Sequence, residues 1–179
     1  MKFVKIRCLY EQNKFIKMYK DYVQSLAPYN PLIKIQLAED YASDYLTQEF
    51  VGGIFVYLLK TQEDKTVGFI IVGSGDMGTA PKTNWCIHEF YVLPEYRRKG
   101  FGIKTLEKFQ RMHTGKVCYF VLKQNTPAQA FWKAATERLK WIALPASEYE
   151  NRTYYSDEFA DFFVVEVQKL DADELHSKL

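Results

Sequence analysis

The stretch WCIHEFYVLPEYRRKGFGIKTLEKFQRM (85–112) most constrains what this chain can fold into. Residues 85–93 are apolar, aromatic and β-branched, as in a buried strand, and Pro94 closes the strand because proline cannot donate to a ladder. Beyond the glycines, Ile103, Leu106, Phe109 and Met112 recur along one face while Lys104, Glu107, Lys108 and Arg111 lie elsewhere, which predicts an amphipathic helix. Between strand and helix stand Arg97, Arg98, Lys99, Gly100, Phe101 and Gly102. Glycines let backbone N–H groups approach a ligand without a Cβ in the way. The first helical turn offers N–H groups with no helical partner and the positive end of the dipole. With three cations added, the junction suits a phosphate.

The rest of the chain frames this junction. FVKIRCL (3–9) predicts a first strand. Phe15, Tyr19, Tyr22, Val23 and Leu26 then recur at helical spacing until Pro28 and Pro31. Leu37, Tyr41 and Tyr45 mark a second short helix. GIFVYLLK and TVGFIIVG, separated by TQEDK, read as an antiparallel hairpin. KVCYFVL (116–122) is a strand, and PAQAFWKAATERLK is a helix with Pro127 in its first turn. WIAL and FFVVEV are strands around the tyrosine-rich loop SEYENRTYYSDEF. Antiparallel strands followed by strand–helix–strand imply an α/β (α+β) fold. It has a mixed, mostly antiparallel sheet of six to seven strands with about four helices on both faces. There is no repeat or linker, so residues 1–179 are expected to form one domain.

Composition removes several function classes. No apolar run approaches a membrane span, and the charged N-terminus lacks a signal-peptide core, so a cytoplasmic protein with no membrane partner is expected. Cys8, Cys86 and Cys118 lie far apart in apolar runs and read as buried, reduced thiols. The three histidines show no metal-ligand spacing, so no metal is expected. Net charge is only +2, which does not suggest nucleic acid. GSGDMG (73–78) matches GxGxxG, but Pro81 and a strand follow where the dinucleotide fingerprint needs a helix. It reads as a loop between antiparallel strands.

The spacing Arg97-x-x-Gly100-x-Gly102, preceded by Val92-Leu93-Pro94, resembles the [RQ]xxGx[GA] signature of the GNAT superfamily of acyl-CoA-dependent N-acetyltransferases. Asn125-Thr-Pro-Ala128-Gln-Ala-Phe131-Trp132 resembles the NxxAxxFY segment of that family. The resemblance implies a GNAT-like sheet and acetyl-CoA as donor cosubstrate. It also implies that backbone groups of Phe90, Tyr91 and Val92 pair with the pantetheine arm. The N–H groups of Arg98, Lys99, Gly100, Phe101, Gly102 and Ile103, beside Arg97, would wrap the pyrophosphate. Asn125 would bind near the pantetheine or pyrophosphate, with Trp132 toward the thioester.

Acetyl transfer needs a neutral amine, and an amine of pKa ~10.4 is so rarely neutral near pH 7.4 that the barrier rises by about 4 kcal/mol. A positioned base recovers part of this, and the candidates are Glu89 and His88. Strand alternation sets them on opposite faces, Glu89 with Ile87 and Tyr91, His88 with Phe90 and Val92. Family members often carry a tyrosine where this chain has Trp132, whose indole N–H is not a usable acid. The Val92 N–H is the expected donor to the reacting carbonyl oxygen. The acceptor site is expected between the first two helices and the late loop. These segments hold Glu39, Asp40, Asp44, Glu49, Glu148, Glu150 and Asp157 beside Tyr41, Tyr45, Tyr149, Tyr154 and Tyr155, a composition suited to a cationic amine. A small cationic amine, an aminoglycoside-like antibiotic or a protein amine would fit, acting on a monomer or homodimer. The alternative is a non-catalytic acyl-CoA-binding module.

Overall fold

The computed structural model describes residues 1–74, 79–80, 83–145, 150–151 and 158–169. The chain runs β1 (Lys2–Lys5), α1 (Leu9–Leu26), α2 (Ala38–Val51), β2 (Ile54–Lys60), β3 (Thr66–Ser74), β4 (Thr79–Ala80) and β5 (Trp85–Val92). It continues through α3 (Phe101–Met112), β6 (Gly115–Leu122), α4 (Thr126–Arg138), β7 (Ile142–Leu144), β8 (Glu150–Asn151) and β9 (Ala160–Val167). Seven strands form one sheet in the order β1-β2-β3-β5-β6-β9-β7, and β4 pairs with β8 apart from it. Among the described residues, only β5 and β6 of the large sheet are parallel. The mixed, mostly antiparallel sheet with four α-helices is the one that the order of sequence patterns predicts.

Two apolar layers hold the sheet. On one face α1 and α2 cover Val56, Leu58, Phe69, Ile71 and Tyr91. On the other, Leu106, Phe109, Trp132 and Ala135 of α3 and α4 cover Val72, Ile87, Val117 and Tyr119. Phe69, Ile70, Ile71 and Val72 are all fully buried, because β3 is sandwiched between both layers. That explains why its sequence reads as a continuous apolar run rather than an alternating one. Each such side chain contributes on the order of 1.5–3 kcal/mol by leaving water.

Local chemistry changes several expectations. The first strand stops at Lys5, and a helix begins at Leu9, so Cys8 is the exposed N-cap residue rather than a buried thiol. Glu11 is the reason: its carboxylate accepts from the Arg7 N–H at 3.0 Å and ties the chain into a first helical turn. Cys86 and Cys118 are buried and unbridged as expected. In α3 the inward rows are Thr105–Leu106 and Phe109–Gln110, and Met112 is 41% exposed. The polar members can face in because Thr105 donates to the Phe101 carbonyl and Gln110 to the Gln168 carbonyl. The GxGxxG segment leaves β3, whose sheet partner β5 is antiparallel, the opposite of the parallel crossover a dinucleotide fingerprint requires. Residues 75–78 of that segment lie outside the described residues.

Candidate active site

The site is built on a break in the sheet. β5 and β6 pair only from Trp85–Ile87 against Val117–Tyr119, so the later residues of the two strands have no ladder between them. Leu93 donates its N–H to the Val67 carbonyl of β3 at 2.9 Å. By antiparallel alternation, Tyr91 and Glu89 also bond toward β3. Phe90 and Val92 therefore turn their backbone groups into the gap. Gly68 makes room for this arrangement, since a Cβ there would collide with the Tyr91 carbonyl oxygen. A cavity of about 680 Å³ runs through the gap, from the tyrosines of α1 to Trp132 of α4.

Beyond the strand end, Arg98 has φ +56° and Gly100 φ +79°, so two left-handed residues bend the turn before α3. Left-handed residues within a turn converge backbone N–H groups on an anion. Gly100 caps α3, and a Cβ on it would meet nothing within 4 Å, so this side of the turn is open. Gly102 has a different reason: a Cβ there would come 2.7 Å from the Phe131 ring, so this glycine lets α4 pack on α3. The Arg97 side chain turns away from the turn. It donates from Nε to the Val92 carbonyl at 2.9 Å, and its cation lies 5.4 Å from the Tyr91 ring centroid. Arg98 and Lys99 are exposed, and Lys99 lies over the Tyr96 ring. Asn125 lines the cavity and uses its side-chain oxygen to cap α4, accepting from the Ala128 N–H at 3.1 Å.

The two candidate bases do not follow strand alternation. Val72 pairs with Ile87 and Ile71 with Glu89, so His88 is an extra residue in β5, a β-bulge. The bulge separates Ile87, in the layer under α3, from Glu89 and Tyr91, under α1 and α2. It also brings His88 to the same side as Glu89, its ring 6.0 Å from that of Tyr45. The imidazole lies over Gly73, where a Cβ would strike Nε2.

Glu89 is buried and surrounded by phenols. Tyr22 donates to Oε2 at 2.6 Å, and Tyr19 and Tyr45 donate to Oε1 at 3.2 and 3.3 Å. Burial pushes its pKa up from 4.5 to about 7, and the three hydrogen bonds pull against that rise. Burial drives His88 the other way, to about 4, and its Nε2 has no hydrogen-bond partner among the described residues. Glu89 thus titrates near neutrality while His88 stays an uncharged imidazole.

Sequence reasoning placed Tyr19 and Tyr22 on an apolar helix face and Tyr45 among the acceptor-site tyrosines, and missed the bond of all three to Glu89. Tyr19 and Tyr22 stand three residues apart on one helical face, and a phenol facing a core needs a polar partner; that was the available signal. Tyr119 was missed as well. It is the last residue of β6 paired with β5, it lines the cavity, and it stacks on Trp132 with ring centroids 4.1 Å apart. Burial raises its pKa, so the phenol stays protonated. The described acidic residues expected at the acceptor wall divide. Asp44 lines the cavity, whereas Glu39 pairs with Lys20 on the surface at 3.1 Å. Asp40 is exposed and Glu49 lies off the cavity, with its pKa raised by burial. Glu148, Tyr149, Tyr154, Tyr155 and Asp157 lie outside the described residues, as does the side chain of Glu150.

A sheet opened between two parallel strands, with an anion-ready turn at the end of one, is the architecture of an acyltransferase fold. Residues 18–135 match the Acetyltransferase (GNAT) family, and the chain belongs to that family. An uncharacterized N-acetyltransferase of Archaeoglobus fulgidus is 31% identical over 108 residues, covering 55% of this chain and 67% of the relative. Among solved structures, a GNAT-family acetyltransferase of Staphylococcus aureus superposes with TM-score 0.60 at 13% identity, over 93% of this chain and 99% of that one. The spermidine N-acetyltransferase of Vibrio cholerae, in complex with CoA and spermine, gives TM-score 0.58 at 8% identity, over 93% and 95%. At these identities the two structures speak for the fold alone.

Proposed function

We propose that this protein is an acetyl-CoA-dependent N-acetyltransferase that moves the acetyl group to a primary amine by direct attack, with Glu89 as general base. One observation carries the reading: a buried carboxylate with pKa about 7, held by three phenols beside the sheet opening. A base is most effective when its pKa lies near the working pH, and Glu89 meets this where His88, at about 4, does not.

The turn and the gap fit a coenzyme A ester, which supplies an acetyl group activated as its thioester. The N–H groups of Arg98 to Ile103 hold its pyrophosphate, with the open side of Gly100 giving access. Backbone groups of Phe90 and Val92 and the amide of Asn125 hold the pantetheine arm. Arg97 serves this site by fixing the strand end rather than by touching phosphate, since it occupies the Val92 carbonyl. Glu89 takes the proton of the amine entering from the α1–α2 side. Tyr119, protonated and lining the base of the gap, donates a hydrogen bond to the departing sulfur; Trp132 stacks on it and orients the ring. A thiol of pKa ~8.5 is a fair leaving group, so this assistance is modest. The buried, unbridged Cys86 and Cys118 agree with a reducing compartment, so we place the protein in the cytoplasm, as one domain, monomeric or homodimeric, with no metal.

The test is calorimetric titration with acetyl-CoA, followed by thiol release in the presence of amines. Micromolar binding that Gly100→Asp abolishes supports the cradle. Absence of binding by well-folded protein refutes the reading.

A further inference from the structure

We infer that Tyr22 is a second catalytic residue, whose phenol carries the proton from the incoming amine to Glu89. The inference rests on the transferase reading above and adds the route by which its base is reached. Glu89 is 8% exposed, and both of its carboxylate oxygens are already engaged. Tyr19 and Tyr45 share Oε1 at 3.2 and 3.3 Å, longer than O–H···O bonds usually run. Tyr22 holds Oε2 at 2.6 Å, the length of a strong bond to an ionised oxygen. Proton transfer requires donor and acceptor to stand this close.

Helix α1 sets the phenol between the carboxylate and the substrate space. Tyr19, Tyr22, Val23 and Leu26 line the cavity at helical spacing, from one face of α1. Along that stripe Tyr19 is 4% exposed, whereas Tyr22 and Leu26 are half-buried, so the cavity opens toward the Tyr22 end. An amine arriving from that end meets the phenol before the carboxylate behind it. The Tyr22 ring stands edge-on to Phe69 at 5.6 Å and packs on Tyr91 at 5.4 Å, which holds its hydroxyl in place. A phenol suits the task because its oxygen accepts from one partner while its O–H donates to another. The ammonium N–H bond breaks as the Tyr22 oxygen takes that proton. In the same step the Tyr22 O–H bond breaks, and its proton forms the new O–H bond on Oε2. The nitrogen keeps the electron pair with which it attacks. Tyr22 ends as the neutral phenol it was, and Glu89 as the carboxylic acid.

The experiment measures single-turnover acetylation with the full chain in excess over the amine, at a pH above the ascending limb, in mixtures of H2O and D2O. The probe is whichever of 2-phenylethylamine, spermidine or a short peptide with a free N-terminus gives the fastest thiol release. Tyr22→Phe is measured beside wild type, with its fold checked by circular dichroism. Two protons moving in one step make the rate fall along a bowed curve as the deuterium fraction rises, and wild type should show that curve. Tyr22→Phe should give a straight line and a plateau rate lower by about tenfold, part of the roughly 10²–10⁴-fold that positioned proton transfer supplies. A straight line for wild type overturns the inference, whether or not the variant folds, and leaves Glu89 as a base acting directly. A bowed curve kept in Tyr22→Phe overturns it too, by assigning the relay to water, as does an unchanged plateau rate. No thiol release with any of the amines, by protein that binds acetyl-CoA, removes the transferase reading and this inference with it.

Discussion

The two halves of the site are built by different means. The proposed donor half, from the end of β5 through Gly100 to α3, is one continuous segment that offers backbone groups. The proposed acceptor half gathers Glu89, Tyr19, Tyr22 and Tyr45 from three elements, up to 70 residues apart, and is made of side chains. A local backbone device needs only a turn and a helix start. A buried carboxylate with tuned pKa needs tertiary packing to remove water and bring in donors. The donor half should therefore fail through changes in backbone shape, and the acceptor half through changes of single atoms.

The sharpest test of that contrast is Glu89→Gln. It should lower kcat by roughly 10²–10⁴-fold, the range a general base contributes, while leaving acetyl-CoA affinity intact by calorimetry. The wild-type rate should climb as pH rises through about 7, where Glu89 loses its proton, and the variant should lack that limb. Stability should move the opposite way. Folding raises the pKa of Glu89 above its ordinary 4.5, so the folded state is favoured while the group is protonated. That contribution is complete below about pH 4.5 and is lost as pH rises through about 7. Thermal melts should then show the Gln variant gaining on wild type between pH 5 and pH 8, by at most about 3.4 kcal/mol.

Next in size is Gly100→Asp, which puts a carboxylate on the open side of the turn at φ +79°. Acetyl-CoA affinity should fall at least tenfold by repulsion from phosphate, with the circular dichroism spectrum retained, because nothing lies within 4 Å of the new Cβ and the left-handed φ costs only about 1 kcal/mol for an Asp. Gly102→Ala should behave differently. It forces Phe131 aside and so should lower the melting temperature without adding a charge against phosphate, so the loss of affinity, not of stability, separates the two glycines.

Tyr22→Phe makes a finer cut. Removing the 2.6 Å bond takes away a donor that favours the ionised carboxylate, so the ascending limb of the pH–rate profile should shift upward by about one unit. An unmoved limb would mean that Glu89 is not the group being titrated. Tyr119→Phe should have the smallest effect, a loss in kcat of about threefold to tenfold, equivalent to one ordinary hydrogen bond. A change in KM for the amine would contradict its place on the sulfur side.

The donor half is legible in the amino-acid sequence because its signals are local. The proline, the two glycines and the amphipathic run after them dictate strand, turn and helix within 28 residues, and a periodicity of two or 3.6 can be read along the chain. The sheet is legible for the same reason, down to the central β3 with its unbroken apolar run. Three features are not. The bulge at His88 depends on how β5 meets β3, and the Gly73 beneath the imidazole is an ordinary glycine until that pairing is known. The tyrosine cage looks like core until α1 and α2 are laid over β5. The acidic residues of α2 look like an acceptor site until Lys20 is seen to take Glu39.

What the sequence determined by itself is therefore the order of elements and the phosphate-ready turn, both consequences of backbone preferences over a few neighbouring residues. What only the tertiary structure decided is which face Glu89 and His88 occupy, and which of them titrates near neutrality. A one-residue insertion in a strand inverts its faces, and burial and long-range hydrogen bonds set a pKa, so neither is written in any local pattern.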